Sequence, residues 1–148
     1  MRRVELYWWV TKVTNDVVLG ITNYDKVDKV FYAIAEVDYK YPIDALVRRF
    51  EKCELKIAML YETNKGYHIY TSFFDENPKR VLHRLYQTKI ADRKHLSLAK
   101  HLHPDGRLVL RISKKYDKRD IVPLTVNEDL MTDWHREVYD LIEVFQRE

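Results

Sequence analysis

Residues 31–38 have the sequence Phe-Tyr-Ala-Ile-Ala-Glu-Val-Asp, an apolar run that ends in two carboxylates. Apolar residues at nearly every position are typical of a strand that is buried on both faces in the centre of a sheet. Successive side chains of a strand point to opposite faces, so Glu36 and Asp38 share one face. The stretch predicts a central strand with two carboxylates placed to share cations, or a buried strand whose polar end reaches solvent.

The segments around this strand predict the remaining elements. Residues 4–10 and 16–21 predict one hairpin, residues 55–61 and 67–73 a second, and residues 107–113 a later strand, whereas residues 23–28 predict a loop. Helical apolar spacing predicts helices over residues 43–53, from Asn77-Pro78 onward, over about residues 92–102 and from about residue 128. This order predicts an α+β fold: a mostly antiparallel sheet with an RNA-recognition-motif-like core and helices packed on one face.

Length and composition indicate the general class of protein. A chain of 148 residues is typical of a single domain with one core, here residues 1–148. Cys53, the only cysteine, excludes a disulfide framework and a cysteine-based zinc site. Since no apolar run is long enough for a signal peptide or a membrane span, we expect a cytoplasmic protein with no membrane partner.

Charge is distributed unevenly along the chain, although the net charge is only +3. Residues 79–119 contain thirteen Lys or Arg and three acids, which leaves the rest of the chain net negative. A basic segment of this kind indicates a polyphosphate partner when it lies on one face. A solvated helix surface has the same composition.

Three motifs follow one another in the sequence. They are Ala-Ile-Ala-Glu-Val-Asp at 33–38, Gly-Tyr-His at 66–68, and the basic strand Val-Leu-Arg-Ile-Ser-Lys-Lys at 109–115. In order and spacing, residues 29–115 resemble the catalytic core of the archaeo-eukaryotic primase superfamily, which includes primase-polymerases. The resemblance implies a nucleotidyltransferase that makes primers from nucleoside triphosphates during DNA replication.

The resemblance also implies roles for individual residues. Glu36 and Asp38 would be catalytic metal ligands, because nucleotidyl transfer uses two divalent cations about 4 Å apart and hard oxygen ligands suit Mg²⁺ or Mn²⁺. Asp92 is the first choice for a third ligand and Asp105 the second. His68 would be a catalytic residue that contacts the nucleotide phosphates, although a histidine satisfied by polar neighbours on a sheet has the same sequence signature.

Four cations are candidates to bind triphosphate or template: Lys65, Arg111, Lys114 and Lys115. The expected partners are a DNA or RNA template and nucleoside triphosphates. The chain is shorter than most complete primases and has neither a cysteine cluster nor a helicase segment, so a second replication subunit or a helicase is a further expected partner.

Two other functions fit parts of the sequence. A replication factor without catalytic activity would bind single-stranded nucleic acid through the basic segment and exposed tyrosines. A rolling-circle initiator of the HUH type would use His101 and His103 to bind a cation and Tyr139 as the nucleophile. The HUH hypothesis requires the two histidines to share a strand face, whereas the sequence places them at the end of a predicted helix.

Overall fold

The computed structural model describes residues 2–101 and 106–147, with the side chains of residues 100 and 101 excepted. Within these residues lie seven strands, four α-helices and a 3₁₀ turn. In chain order they are β1 Val4–Val10, β2 Val17–Asp25, β3 Val30–Val37, α1 Ile43–Lys52, β4 Ile57–Glu62, β5 Tyr67–Asp75, α2 Pro78–Gln87, α3 Arg93–His101, β6 Val109–Arg111, β7 Val122–Val126, the 3₁₀ turn Glu128–Leu130 and α4 Asp133–Gln146.

The strands form one antiparallel sheet in the order β1-β2-β3-β5-β4-β7, and β6 pairs with β2 outside this path. The predicted α+β fold, an antiparallel sheet with helices packed against it, is therefore confirmed. β5 lies between β3 and β4, which are consecutive around α1, so these elements form a split β-α-β unit. As expected for a central strand, β3 is almost wholly buried.

The sheet forks at β2. One edge of β2 pairs with β1, while the other pairs with β6 through Gly20–Thr22 and with β3 through Tyr24–Asp25. The buried Asn23 lies between these two pairings. Its Nδ2 donates to the Tyr32 carbonyl oxygen at 2.9 Å, and its Oδ1 accepts from the Leu108 amide at 2.8 Å. Asn23 thus joins β3 and β6 where they diverge.

Two segments that we did not predict as strands form strands in the structure, and the first of them lies within the predicted loop 23–28. Residues 23–25 belong to β2, because the Asn23 side chain supplies hydrogen bonds in the gap where β2 changes partners. Residues 122–126 form β7, which we did not predict because Pro123 cannot donate a backbone hydrogen bond. β7 pairs only with β4 and lies at the edge of the sheet, where proline is tolerated.

Helix ends follow local sequence signals in part. Asn77 caps α2 as predicted, its Oδ1 accepting from the Lys79 amide at 3.0 Å. The last helix begins at Asp133 rather than near Glu128, because a 3₁₀ turn and a cap at Thr132 come first. Phe145, in the last turn of this helix, is 36% exposed.

The core joins the helices to the sheet through aliphatic and aromatic side chains. α1 buries Leu46 and Phe50. From α4, Trp134 stacks on Tyr32 of β3 with 4.4 Å between ring centroids. No helix among the described residues is long and apolar enough to cross a membrane.

We expect Asn23→Leu to lower the free energy of unfolding by about 2–4 kcal/mol, because the Leu108 amide and the Tyr32 carbonyl would be left buried without partners. Urea denaturation measures the change. The control is Asn127→Leu, which removes an exposed asparagine that caps the 3₁₀ turn. An equal loss in the two variants would show that Asn23 has no special role.

A second prediction concerns His135, whose tautomer is set by its neighbours. Its Nε2 donates to the Thr71 carbonyl at 2.8 Å, so Nδ1 is the acceptor for the Thr132 amide at 3.1 Å. Burial is the main cause that lowers the pKa of His135 to about 4. Because the unfolded chain takes up this proton near pH 6.5, stability is lost as the pH falls from about 6.5 to 4.

Between pH 7 and pH 4, the wild-type protein should therefore lose about 2–3 kcal/mol more unfolding free energy than His135→Gln. Urea denaturation at a series of pH values gives both curves. Comparing the two proteins cancels the other titrating groups. Parallel curves would contradict the assignment of this pH dependence to His135.

Candidate functional site

The divergence of β3 and β6 leaves a gap that the start of α3 closes. The Asp92 amide donates to the Glu36 carbonyl of β3 at 2.7 Å, and His95 Nε2 donates to the Val109 carbonyl of β6 at 2.7 Å. α3 therefore bridges the two strands. This places Asp92 beside the end of β3.

Three carboxylates meet at this end of β3. Glu36, Asp38 and Asp92 each offer an oxygen, and these oxygens all lie within 4.8 Å of one another. Burial, followed by repulsion from Asp38 and Asp92, raises the pKa of Glu36. A divalent cation would relieve this repulsion, and three carboxylates are a donor set that suits Mg²⁺ or Mn²⁺. We call these residues the acidic trio.

Two residues of the acidic trio line a cavity of about 460 Å³, within the usual range for small-molecule sites. Glu36 and Asp38 line one part of it. Apolar and aromatic side chains line another, namely Tyr7, Trp9, Leu98 and Val109. Three of the four basic residues predicted to bind triphosphate or template also line this cavity, namely Lys65, Arg111 and Lys115. We refer to it as the site cavity.

His68 lies in β5 directly opposite Glu36 of β3 and also lines the site cavity. The residue is only 6% exposed, and its Nδ1 has no hydrogen-bond partner among the described residues. Burial, with smaller effects of Arg111 and His95, lowers the pKa of His68 to about 3. The imidazole is therefore neutral at physiological pH, with an unsatisfied polar atom beside the cavity.

The β4–β5 loop brings Lys65 to the site because Gly66 packs closely on β3. A Cβ at position 66 would lie 1.8 Å from the Val37 carbonyl oxygen and 2.7 Å from the Tyr39 amide nitrogen. Only glycine permits this approach. This close contact explains why the first residue of the Gly-Tyr-His motif is glycine.

Arg111 is in the site cavity, but a carboxylate already binds it. Asp120 forms a two-point ion pair with its guanidinium, and both side chains are largely buried. Gln146 at the end of α4 in turn accepts from the Asp120 amide at 2.9 Å. Lys114 does not line the site cavity and borders a neighbouring one.

The basic segment 79–119 is partly neutralised by local ion pairs. Arg80 lies 3.8 Å from Asp75, Arg84 3.0 Å from Glu54 and Arg119 3.5 Å from Glu143. Its contribution to the site cavity comes from Arg111 and Lys115. The other described cations of this segment do not line the site cavity. Solvent and salt screen exposed charges, so these cations should have little influence on a ligand there.

Several candidate residues cannot be placed at the site. Asp105, the second choice for a third ligand, and His103 lie outside the described residues, as does the side chain of His101. Tyr139 is half-buried and packs against the core. Because the described residues include neither histidine side chain, the HUH hypothesis stays a prediction.

Sequence inspection did not identify Tyr7, Trp9, His95 or Asp120 as site residues. Alternation along β1 places Tyr7 and Trp9 on one face, but nothing in the local sequence shows what that face meets. Asp120 lies in a charged segment with no local signal. Its role depends on the pairing of β6 with β2 and on the end of α4.

Comparison with known proteins gives no match: no family model, no curated protein and no solved structure is significantly similar to this chain. Its function is therefore inferred from the geometry of the site. The strongest features are the acidic trio and the neutral, buried His68 opposite Glu36.

We expect Gly66→Ala to lower the free energy of unfolding by about 2 kcal/mol or more, because the new methyl group would overlap backbone atoms of β3. Thermal and urea denaturation measure the loss. Asn64→Ala in the same loop is the control and should change stability by less than about 1 kcal/mol. If the two variants are equally stable, the contact between Gly66 and Val37 does not constrain the loop.

Proposed function

We propose that this protein is a metal-dependent nucleotidyltransferase of the primase type, which makes primers from nucleoside triphosphates on a nucleic-acid template. One observation carries the proposal: the oxygens of the acidic trio lie within 4.8 Å of one another, and two of its residues, Glu36 and Asp38, line a cavity that also contains His68 and three cations. This combination of groups is what transfer of a nucleotidyl group requires. The resemblance to the primase superfamily adds support from the sequence.

The acidic trio is the set of residues that would hold the metal. Divalent cations there would lower the pKa of an attacking hydroxyl group and stabilise the pyrophosphate that leaves. Because the pKa of Glu36 is raised, this carboxylate binds a proton or a cation more readily than an ordinary glutamate. Glu36, on strand β3, offers a ligand of fixed position, while Asp38 follows the strand and is exposed.

The other side chains suit a nucleoside triphosphate. His68 is neutral, so it can donate one hydrogen bond to a phosphate oxygen without adding charge near the metal ligands. Lys65 and Lys115 can pair with phosphate oxygens, and Arg111 can use donors that Asp120 does not engage. The aromatic wall of Tyr7 and Trp9 can pack against a base.

A non-catalytic single-strand binder is the second candidate function. The observation that favours it is the ion pair between Arg111 and Asp120, which reduces the positive charge available to a triphosphate. The same aromatic wall would then stack bases of a bound strand. Dependence on divalent metal separates the two functions.

Replacement of two ligands tests the proposal. Glu36→Gln with Asp38→Asn keeps side-chain shape and removes both charges, so primer synthesis with Mg²⁺ or Mn²⁺ should fall by about 100-fold or more. Incorporation of labelled nucleotides on a single-stranded template measures synthesis. Titration with Mn²⁺, followed by electron paramagnetic resonance, should show loss of binding in the same variant.

The matched control is Asp44→Asn with Glu51→Gln, which removes two exposed carboxylates of α1 outside the site cavity. This control should synthesise and bind Mn²⁺ like the wild-type protein. Undiminished synthesis by the Glu36 and Asp38 double variant would overturn the proposal. Metal-independent binding of nucleic acid without any synthesis would support the second candidate.

A further inference from the structure

The site cavity adjoins a second cavity beside the β1–β2 hairpin. This hairpin cavity has a volume of about 540 Å³ and shares Trp9, Arg111 and Lys115 with the site cavity. Its other walls include Thr11 and Thr14 of the hairpin turn and the segment 114–117. The two cavities therefore adjoin at Trp9, Arg111 and Lys115, and Glu36 and Asp38 line the first of them.

The segment 114–117 ends in a tight turn that presents an aromatic ring. Lys115 and Lys118 form an isolated antiparallel bridge, and the two residues between them, Tyr116 and Asp117, both have φ of 57°. Turns with two positive φ values normally use Asn or Gly, and a bulky aromatic residue at positive φ is strained. Tyr116 is nevertheless 71% exposed, so burial of its ring does not offset this strain.

One basic side chain lies near this ring, and others are close to it in the sequence. Residues 114–119 contain four Lys or Arg and one acid, and Lys115 Nζ lies 5.7 Å from the centre of the Tyr116 ring. Lys114 and Lys115 border the hairpin cavity, as do the carboxylates of Asp16 and Asp117. Because these acids offset part of the positive charge, the aromatic rings must supply much of the affinity for any ligand.

We propose that the hairpin cavity is a track for single-stranded nucleic acid, with bases stacked on Trp9 and Tyr116 and phosphates paired with Lys114 and Lys115. Aromatic rings that alternate with cations along a groove are the chemistry by which proteins hold single strands without reading sequence. The track extends the proposed function, because its strand would be the template that enters the site cavity. Its binding energy does not depend on metal.

The test measures binding without catalysis. A fluorescent oligodeoxythymidylate of about 12 nucleotides, a length suited to such grooves, is titrated in EDTA and followed by anisotropy. Trp9→Ala and Tyr116→Ala should each weaken binding by about 5-fold or more, since one base loses its stacking partner. Trp9→Phe and Tyr116→Phe keep a ring and should remain within about 2-fold of the wild-type protein.

Two matched controls locate the effect on the track. Trp8→Ala removes a 66% exposed ring from the opposite face of β1, and Tyr86→Ala removes an exposed ring from α2. Neither should change binding. Lys114→Ala with Lys115→Ala should reduce the slope of log affinity against log salt by about 1.4, which corresponds to two phosphate contacts on a single strand.

The outcomes separate this proposal from the proposed function. Equal affinity of Trp9→Ala, Tyr116→Ala and the wild-type protein would overturn the track, as would an equal loss in Trp8→Ala. Undiminished synthesis by the Glu36 and Asp38 double variant would overturn only the nucleotidyltransferase. The same titration with oligouridylate distinguishes the strand: ring-dependent binding to one polymer alone assigns the track to DNA or to RNA.

Discussion

The structure depends on how the β2 strand divides its hydrogen bonds between two partners. At Asn23 the backbone ladder passes from β6 to β3, and the side-chain amide satisfies a carbonyl of one strand and an amide of the other. Without this junction, β3 and β6 would either run side by side or separate fully. Their controlled divergence produces the gap in which α3 begins, and the site cavity with its carboxylates follows from that gap.

The site also shows how charge is arranged around one cavity. The acidic trio concentrates negative charge, and the raised pKa of Glu36 reflects that repulsion together with burial. On the other side, Arg111 is held by Asp120, which is tied through its amide to Gln146 at the end of α4. The last helix thereby fixes a cation that belongs to β6. His68 lines the same cavity and stays neutral because it is buried.

Local patterns predicted much of the fold and a good part of the site. The run of apolar residues placed β3, the Asn77-Pro78 pair marked the start of α2, and strand alternation placed Glu36 and Asp38 on one face. What local patterns could not supply depends on distant partners. Asn23 has turn propensity, and its role becomes clear only beside Leu108, 85 residues away. Pro123 made the edge strand β7 difficult to recognise from the sequence. Tyr7, Trp9 and Asp120 reach the cavity through contacts between segments that are far apart in the sequence, so no short stretch predicts them.

The link between Asp92 and Glu36 has a consequence for how such a protein can diverge. The Asp92 backbone amide, not its carboxylate, bonds to the Glu36 carbonyl at 2.7 Å, and only the side chain joins the acidic trio. The Asp92 carboxylate also accepts from the Lys94 amide at 3.1 Å at the start of α3. Asparagine at position 92 would keep an oxygen for that bond and the backbone bond to Glu36, while it removes one carboxylate of the acidic trio. Under the proposed function, this one change would separate catalysis from architecture, so an active enzyme and an inactive binding protein with this fold would differ by a single side-chain atom.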